Sequence, residues 1–165
     1  METIHLLRDM ARYNAWSNAK IYAVSATLSD AERKRDLGAF FGSVHGTLNH
    51  LLLTDRMWLA RMRQMPVAAK TLGDEVAGDF AELQRLRVET DHEITTMLRD
   101  YVEADLDMPL TYFSLATGTA RRYPLRDAWL HIGNHQTHHR GQITAMLQQL
   151  GCDYGDVDLL FMPRE

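Results

Sequence analysis

The chain has 165 residues, 45% of them hydrophobic and 24% charged, with 22 acidic against 18 basic side chains and a formal net charge of −4. That length and composition predict one soluble globular domain spanning residues 1–165, and the acidic balance with scattered basic residues argues against a nucleic-acid partner. The single cysteine, Cys152, rules out an internal disulfide framework and reads as a structural or incidental thiol. No apolar run reaches membrane-spanning length and residues 1–10 show no secretory signal, so no membrane partner is expected and the cytoplasm is the expected compartment.

Helical periodicity dominates the chain. A first helix is predicted over residues 3–27. At 100° per residue, Asn14 falls in the centre of its apolar stripe with Leu7, Met10, Ala11 and Ile21, and Asn18 follows one turn later. Inward amides suit a polar pocket between helices. The alternative is that both bond to buried backbone or to a buried carboxylate. Residues 28–36 read as a polar turn holding one helical turn capped by Ser29 or Asp30.

A second helix is predicted over residues 43–64. Asn49, Arg56 and His45 share an arc that reads as its wet face, which leaves His45 exposed. His50 lies outside that arc and is the inward candidate, either a ligand or a partly buried histidine bonded to a neighbouring helix. Asp55 also escapes the wet arc, among Val44, Leu48, Leu51 and Met62. A carboxylate there needs a partner: it either orients a histidine from behind or bonds across the bundle.

Residues 66–78 read as a loop, and Asp79 as the N-cap of a third helix continuing to about residue 103. Segments 110–115 and 119–123, separated by a turn containing Gly118, predict a hairpin. Pro124 then opens the fourth long helix and Gly151 closes it. The tail, 153–165, is irregular, and its apolar run 157–162 is expected to pack back on the body. Four long amphipathic helices predict an all-α four-helix bundle with a short β-like hairpin before the last long helix.

That last helix carries the chemistry. Four of the eight histidines fall between residues 131 and 139. With His131 at zero, the stripe of Leu125, Ala128, Ile132, Ile143, Met146 and Leu150 lies at roughly 60–120°, His139 at about 80° and His135 at about 40°. His135 and His139, one turn apart, therefore face the core and can reach one metal ion, whereas His131 and His138 face solvent or a second subunit. Gln142, at about 20°, lies on the flank near His135. A two-histidine site needs at least one more protein ligand.

Three segments together carry a family resemblance: Arg12-Tyr-Asn-Ala-Trp-Ser-Asn18, Gly46-Thr-Leu-Asn-His50-Leu-Leu-Leu-Thr-Asp-Arg-Met-Trp58, and His131-Ile-Gly-Asn-His135-Gln-Thr-His-His139-Arg-Gly-Gln142. With the tail Asp158-Leu-Leu-Phe-Met-Pro-Arg-Glu165 they resemble the DinB-like family, helical-bundle proteins that include bacterial low-molecular-weight-thiol S-transferases. The resemblance implies a fold of that type and three histidine ligands to one divalent metal, matching His50, His135 and His139. It further implies a metal-dependent enzyme that transfers a low-molecular-weight thiol to a small electrophile. Asn14, Asn18, Asp55 and Gln142 are then expected to line the pocket or support the ligands. Three imidazoles with an open position suit zinc best, with nickel or iron(II) acceptable. The alternatives are a non-catalytic metal-binding stress-response module and a metal-assisted hydrolase with Asp55 as base. The family resemblance, with histidines and apolar groups beside the core stripe, suggests a homodimer.

Overall fold

The structure, a computed structural model, describes residues 2–163; Arg164 and Glu165 of the tail motif lie outside them. Four long helices, α1 (Thr3–Ala26), α3 (Val44–Met62), α4 (Phe80–Asp100) and α5 (Leu125–Gln149), form the body. A short α2 (Asp30–Lys34) precedes α3, and an antiparallel hairpin of β1 (Pro109–Ser114) and β2 (Thr119–Pro124) precedes α5. No described helix is long and apolar enough to cross a membrane.

Local chemistry sets most of the boundaries. Ser29 and Glu32 make a reciprocal capping box on α2. Ser43 caps α3 through the Gly46 amide, and Asp79 caps α4 through the amides of Ala81 and Glu82. Gly151, at φ 78°, ends α5 in the left-handed conformation that costs glycine little. The third long helix stops at Asp100, short of the expected 103. Arg8 reaches across from α1 and donates to the carbonyls of Leu98, Arg99 and Tyr101, capping the end of α4. A separate 3-10 turn, Glu103–Asp107, follows.

Among the buried positions of α1, the set 4, 7, 11, 14, 18, 21 and 25 has the alternating three-and-four spacing of a bundle seam, and Tyr13, Ser17 and Tyr22 beside it are buried as well. Ile4, Leu7 and Ala11 on one side and Ile21 on the other are apolar, Asn14 and Asn18 between them are polar, and α4 and α5 repeat this order with Arg87 and Asp91, and with Gln136 and Arg140, between apolar ends. One apolar cluster gathers Ile4, Leu7, Leu59, Ile94, Leu98 and Trp129; the other gathers Ile21, Leu48, Leu52, Leu83, Ile143 and Leu147. Between them, Arg87 of α4 pairs with Asp55 and Asp91, each at 2.8 Å. Gln136 also donates to Asp55, Asn18 donates to Asp91, and Arg140 donates to Asn14 at 3.0 Å. Two carboxylates and two guanidiniums balance this layer, which keeps buried charge partnered.

Helix α1 packs against α4 and α5, and α3 against the same two, so α1 and α3 are diagonal, as are α4 and α5. Paired contacts fix the directions. Asp55–Arg87 and Arg63–Glu93 make α3 and α4 parallel, and His50–His135 with Trp58–His131 make α3 and α5 antiparallel. Parallel neighbours cannot be joined by a tight turn. The chain after α3 must return along the helix's whole length, about 28 Å, and residues 63–79 do so across the outside of α3.

That return overturns two expectations. His45 and Asn49 are buried, not exposed. His45 Nε2 lies 3.0 Å from Glu75 Oε1, and Asn49 accepts from the amides of Val76 and Ala77 while donating to the Ala77 carbonyl. The arc that reads as wet is covered by a loop that helical periodicity cannot place. The tail is corrected as well. Val157 packs on the body and its carbonyl accepts from the Tyr13 hydroxyl at 2.8 Å, but Leu159, Leu160 and Phe161 form an exposed 3-10 turn that no described element covers. Cys152 is half-buried and free.

Candidate metal centre

Helices α3 and α5 bring His50, His135 and His139 together, with one ligand atom from each lying within 4.8 Å of the others. The ring centroids are 5.0 Å apart for His50 and His135, 4.6 Å for His50 and His139, and 4.5 Å for His135 and His139. The pair on α5 is one turn apart and so shares a face. His139, in the middle of the stripe, is buried; His135, on its edge, is half-buried.

Hydrogen bonds fix the ring orientation of two members. His50 Nδ1 donates to the Leu72 carbonyl at 2.9 Å, and that oxygen can only accept. His139 Nδ1 donates to Gln142 Oε1 at 2.8 Å. In the neutral rings, both Nε2 atoms therefore present lone pairs. His50 Nε2 and His135 Nε2 stand 3.1 Å apart, close to the ~3.3 Å between nitrogens bound tetrahedrally to one zinc ion. Burial holds the imidazoles neutral, lowering His50 to about 4 and His135 to about 3, with His139 shifted the same way for the same reason. Neutral, converging lone pairs backed by partners on the far ring nitrogen are what a divalent metal requires. The donor set fits, and these three residues could hold such an ion.

The surroundings complete the site. The Phe41 ring stacks on His50 with centroids 3.7 Å apart and meets His139 edge-on at 5.6 Å. It comes this close because position 46 is glycine: a Cβ there would collide with the Phe41 carbonyl oxygen. Phe41 and the Leu72 carbonyl were not among the residues singled out from the sequence. A glycine in the first turn of α3, just after Phe40-Phe41-Gly42, was the available signal for close backbone approach.

The other expected site residues separate into groups. Gln142 supports His139 directly. Its amide nitrogen lies 3.4 Å from His138 Nε2, which is exposed, as is His131. Asn14, Asn18 and Asp55 belong to the buried layer between the apolar clusters, and their hydrogen bonds go to Arg140, Asp91, Arg87 and Gln136 rather than to a histidine. Burial pushes the Asp55 carboxyl up, against the pull of Arg87.

A helical bundle with a three-histidine cluster on two facing helices is the class of protein defined by this geometry. The chain belongs to the DinB family, which it matches over residues 1–165. It is 26% identical over 159 residues to Protein DinB of Bacillus subtilis (strain 168), covering 87% of this chain and 88% of that protein. A solved DinB-like protein from Bacillus cereus ATCC 10987 shares the fold, with a TM-score of 0.69 at 18% identity over 88% of this chain and 91% of that one.

Proposed function

We propose that the protein is a divalent-metal-dependent enzyme that transfers a low-molecular-weight thiol to a small electrophile, with His50, His135 and His139 as the metal ligands. The observation that carries the metal reading is the convergence of three neutral imidazoles, two with Nδ1–H already engaged by Leu72 and Gln142. Zinc is the first choice for three imidazoles with an open position, ahead of nickel and iron(II). Such an ion, when bound, keeps its positive charge and stabilises a thiol as the nucleophilic thiolate. The chain's own residues set the stage for this. Gln142 and the Leu72 carbonyl hold two rings in the binding orientation, and Phe41 shields His50 from water on one side. The thiol chemistry itself rests on the family's thiol-transferring members.

A hydrolytic reading finds less support, because the carboxylate it needs, that of Asp55, is taken by Arg87 and Gln136. We assign the protein to the cytoplasm as a homodimer: exposed Leu130, Leu160 and Phe161 supply apolar surface that a second copy would cover. The test is a panel of low-molecular-weight thiols titrated into metal-loaded and metal-stripped protein. Metal-dependent binding, followed by turnover with an electrophile, supports the reading. Metal binding without any thiol binding would replace it with a non-catalytic metal-binding module.

A further inference from the structure

The histidine centre leaves one well-formed cavity unused. It encloses about 300 Å³ between the hairpin and helices α3 and α5, a volume at the lower end of small-molecule sites. The hairpin register sets Leu110 opposite Tyr123, and Tyr112 lies two residues along from Leu110, so these three side chains share one sheet face. Trp58 of α3 meets Tyr112 edge to face, with ring centroids 4.9 Å apart. Asp127 and His131, one turn apart on α5, complete the wall. Trp58 lies 5.2 Å from the His131 ring, and His131 lies 5.5 Å from the His135 ring, so the cavity is one ring removed from the metal ligands, none of which lines it.

Burial divides this wall into a floor and a rim. Trp58, Leu110 and Ala128 are buried and Tyr112 is half-buried, whereas Tyr123, Asp127 and His131 are exposed. The floor is thus apolar and aromatic, and the charged group of the wall is the Asp127 carboxylate at the rim. Asp127 stands in the first turn of α5, where the helix dipole favours an acid. Its carboxylate is free to take a ligand: Arg126 Nε is 3.9 Å away, beyond hydrogen-bond distance, and Arg126 donates instead to Asp107. Arg61 sets the orientation. Its guanidinium stacks on Trp58 and Tyr112, 4.8 and 4.5 Å from the ring centroids, without lining the cavity, and it is only 8% exposed. That charge lies behind the floor, where it disfavours a cation deep in the cavity and leaves the rim to one. Aromatic rings gathered beside a carboxylate are the chemistry that recognises an organic ammonium.

We propose that this cavity binds a flat, apolar molecule carrying one primary ammonium, with its body against Trp58, Leu110 and Tyr112 and its ammonium at the rim, held by the Asp127 carboxylate beside the Tyr123 ring. The site shares none of the metal ligands and does not need the metal to fill, so it stands or falls separately from the thiol chemistry.

Calorimetric titration of the full chain at about pH 7.5, where imidazoles are neutral, tests it with three probes of one shape: 2-naphthylmethylammonium, 2-naphthylmethanol and 2-naphthoate. The expected result is one molecule of 2-naphthylmethylammonium per chain in both the metal-free and the zinc-loaded protein, with the neutral alcohol weaker by about tenfold or more, the worth of a charge-assisted hydrogen bond. The carboxylate probe should be weaker still. Asp127→Asn changes a side chain that is 49% exposed and keeps its size; it should bring the ammonium down to the affinity of the alcohol and leave the alcohol unchanged, which also shows that the variant is folded. Tyr123→Ala removes a rim residue that is 43% exposed and should weaken both. No binding of the ammonium, equal binding of all three probes, tighter binding of 2-naphthoate, binding that requires zinc, or an ammonium affinity indifferent to Asp127→Asn or to Tyr123→Ala would each overturn the proposal.

Discussion

Replacing Asp55 with alanine separates a structural role from a metal-supporting one. The carboxylate is 1% exposed, pairs with Arg87 at 2.8 Å and also accepts from Gln136. Removing one member of a buried pair typically costs about 3–5 kcal/mol, because the remaining charge is stranded. Arg87 keeps Asp91 at 2.8 Å, so the lower figure applies here. For a chain of this size each kcal/mol lowers the melting temperature by about 2–4 °C, so a loss of about 3 kcal/mol predicts a drop of about 6–12 °C. Zinc affinity should be unchanged, since no hydrogen bond of the Asp55 side chain goes to a histidine. The assay is a thermal melt of metal-free Asp55→Ala beside a zinc titration of the same variant. A native melting temperature combined with tenfold weaker zinc binding would refute the reasoning and move Asp55 behind the metal ligands.

Gln142→Leu should do the opposite. It removes the acceptor that orients His139, and zinc affinity should fall by about 10–100-fold with little change in the melt; competition against a chelating dye reads this directly. Acid should destabilise the metal-free protein. Burial lowers the folded values of His50 to about 4 and His135 to about 3, below the ~6.5 of an unfolded imidazole. The unfolded chain therefore takes up protons first, so this contribution is complete above about pH 6.5 and is lost as pH falls through the folded values. Melting temperatures across that range check it, and a profile flat from about pH 7 to about pH 4 would contradict the burial of neutral rings.

Much of the fold was legible because it is written in local chemistry. Ser29, Asp79, Pro124 and Gly151 mark element ends that need only neighbours in sequence. The inward set of α5 was legible too, because a 100° step per residue separates His139 from His138 whatever packs against the helix. What escaped was long-range. His45 and Asn49 look wet on a helical projection, and only the parallel placement of α3 and α4 forces a loop across them. Asn14 and Asn18 were rightly placed inward, but their partners Arg140 and Asp91 lie on two other helices, and periodicity names no partner. Phe41 escaped because its stacking on His50 depends on a backbone approach signalled only by Gly46. The apolar tail run misled because hydrophobic composition does not say whether a surface waits to receive it; Leu160 remains 80% exposed.

The most direct test of the central claim is the stoichiometry of zinc bound by the metal-free chain and by its single-histidine variants. The native protein should take up one ion per chain. His50→Ala, His135→Ala and His139→Ala should each abolish stoichiometric binding, because each removes one of three converging nitrogens. His138→Ala, whose ring faces solvent, and His45→Ala, whose ring is held by Glu75, should retain it. A native chain that binds no ion, or equal loss in all five variants, would contradict a metal centre built from His50, His135 and His139.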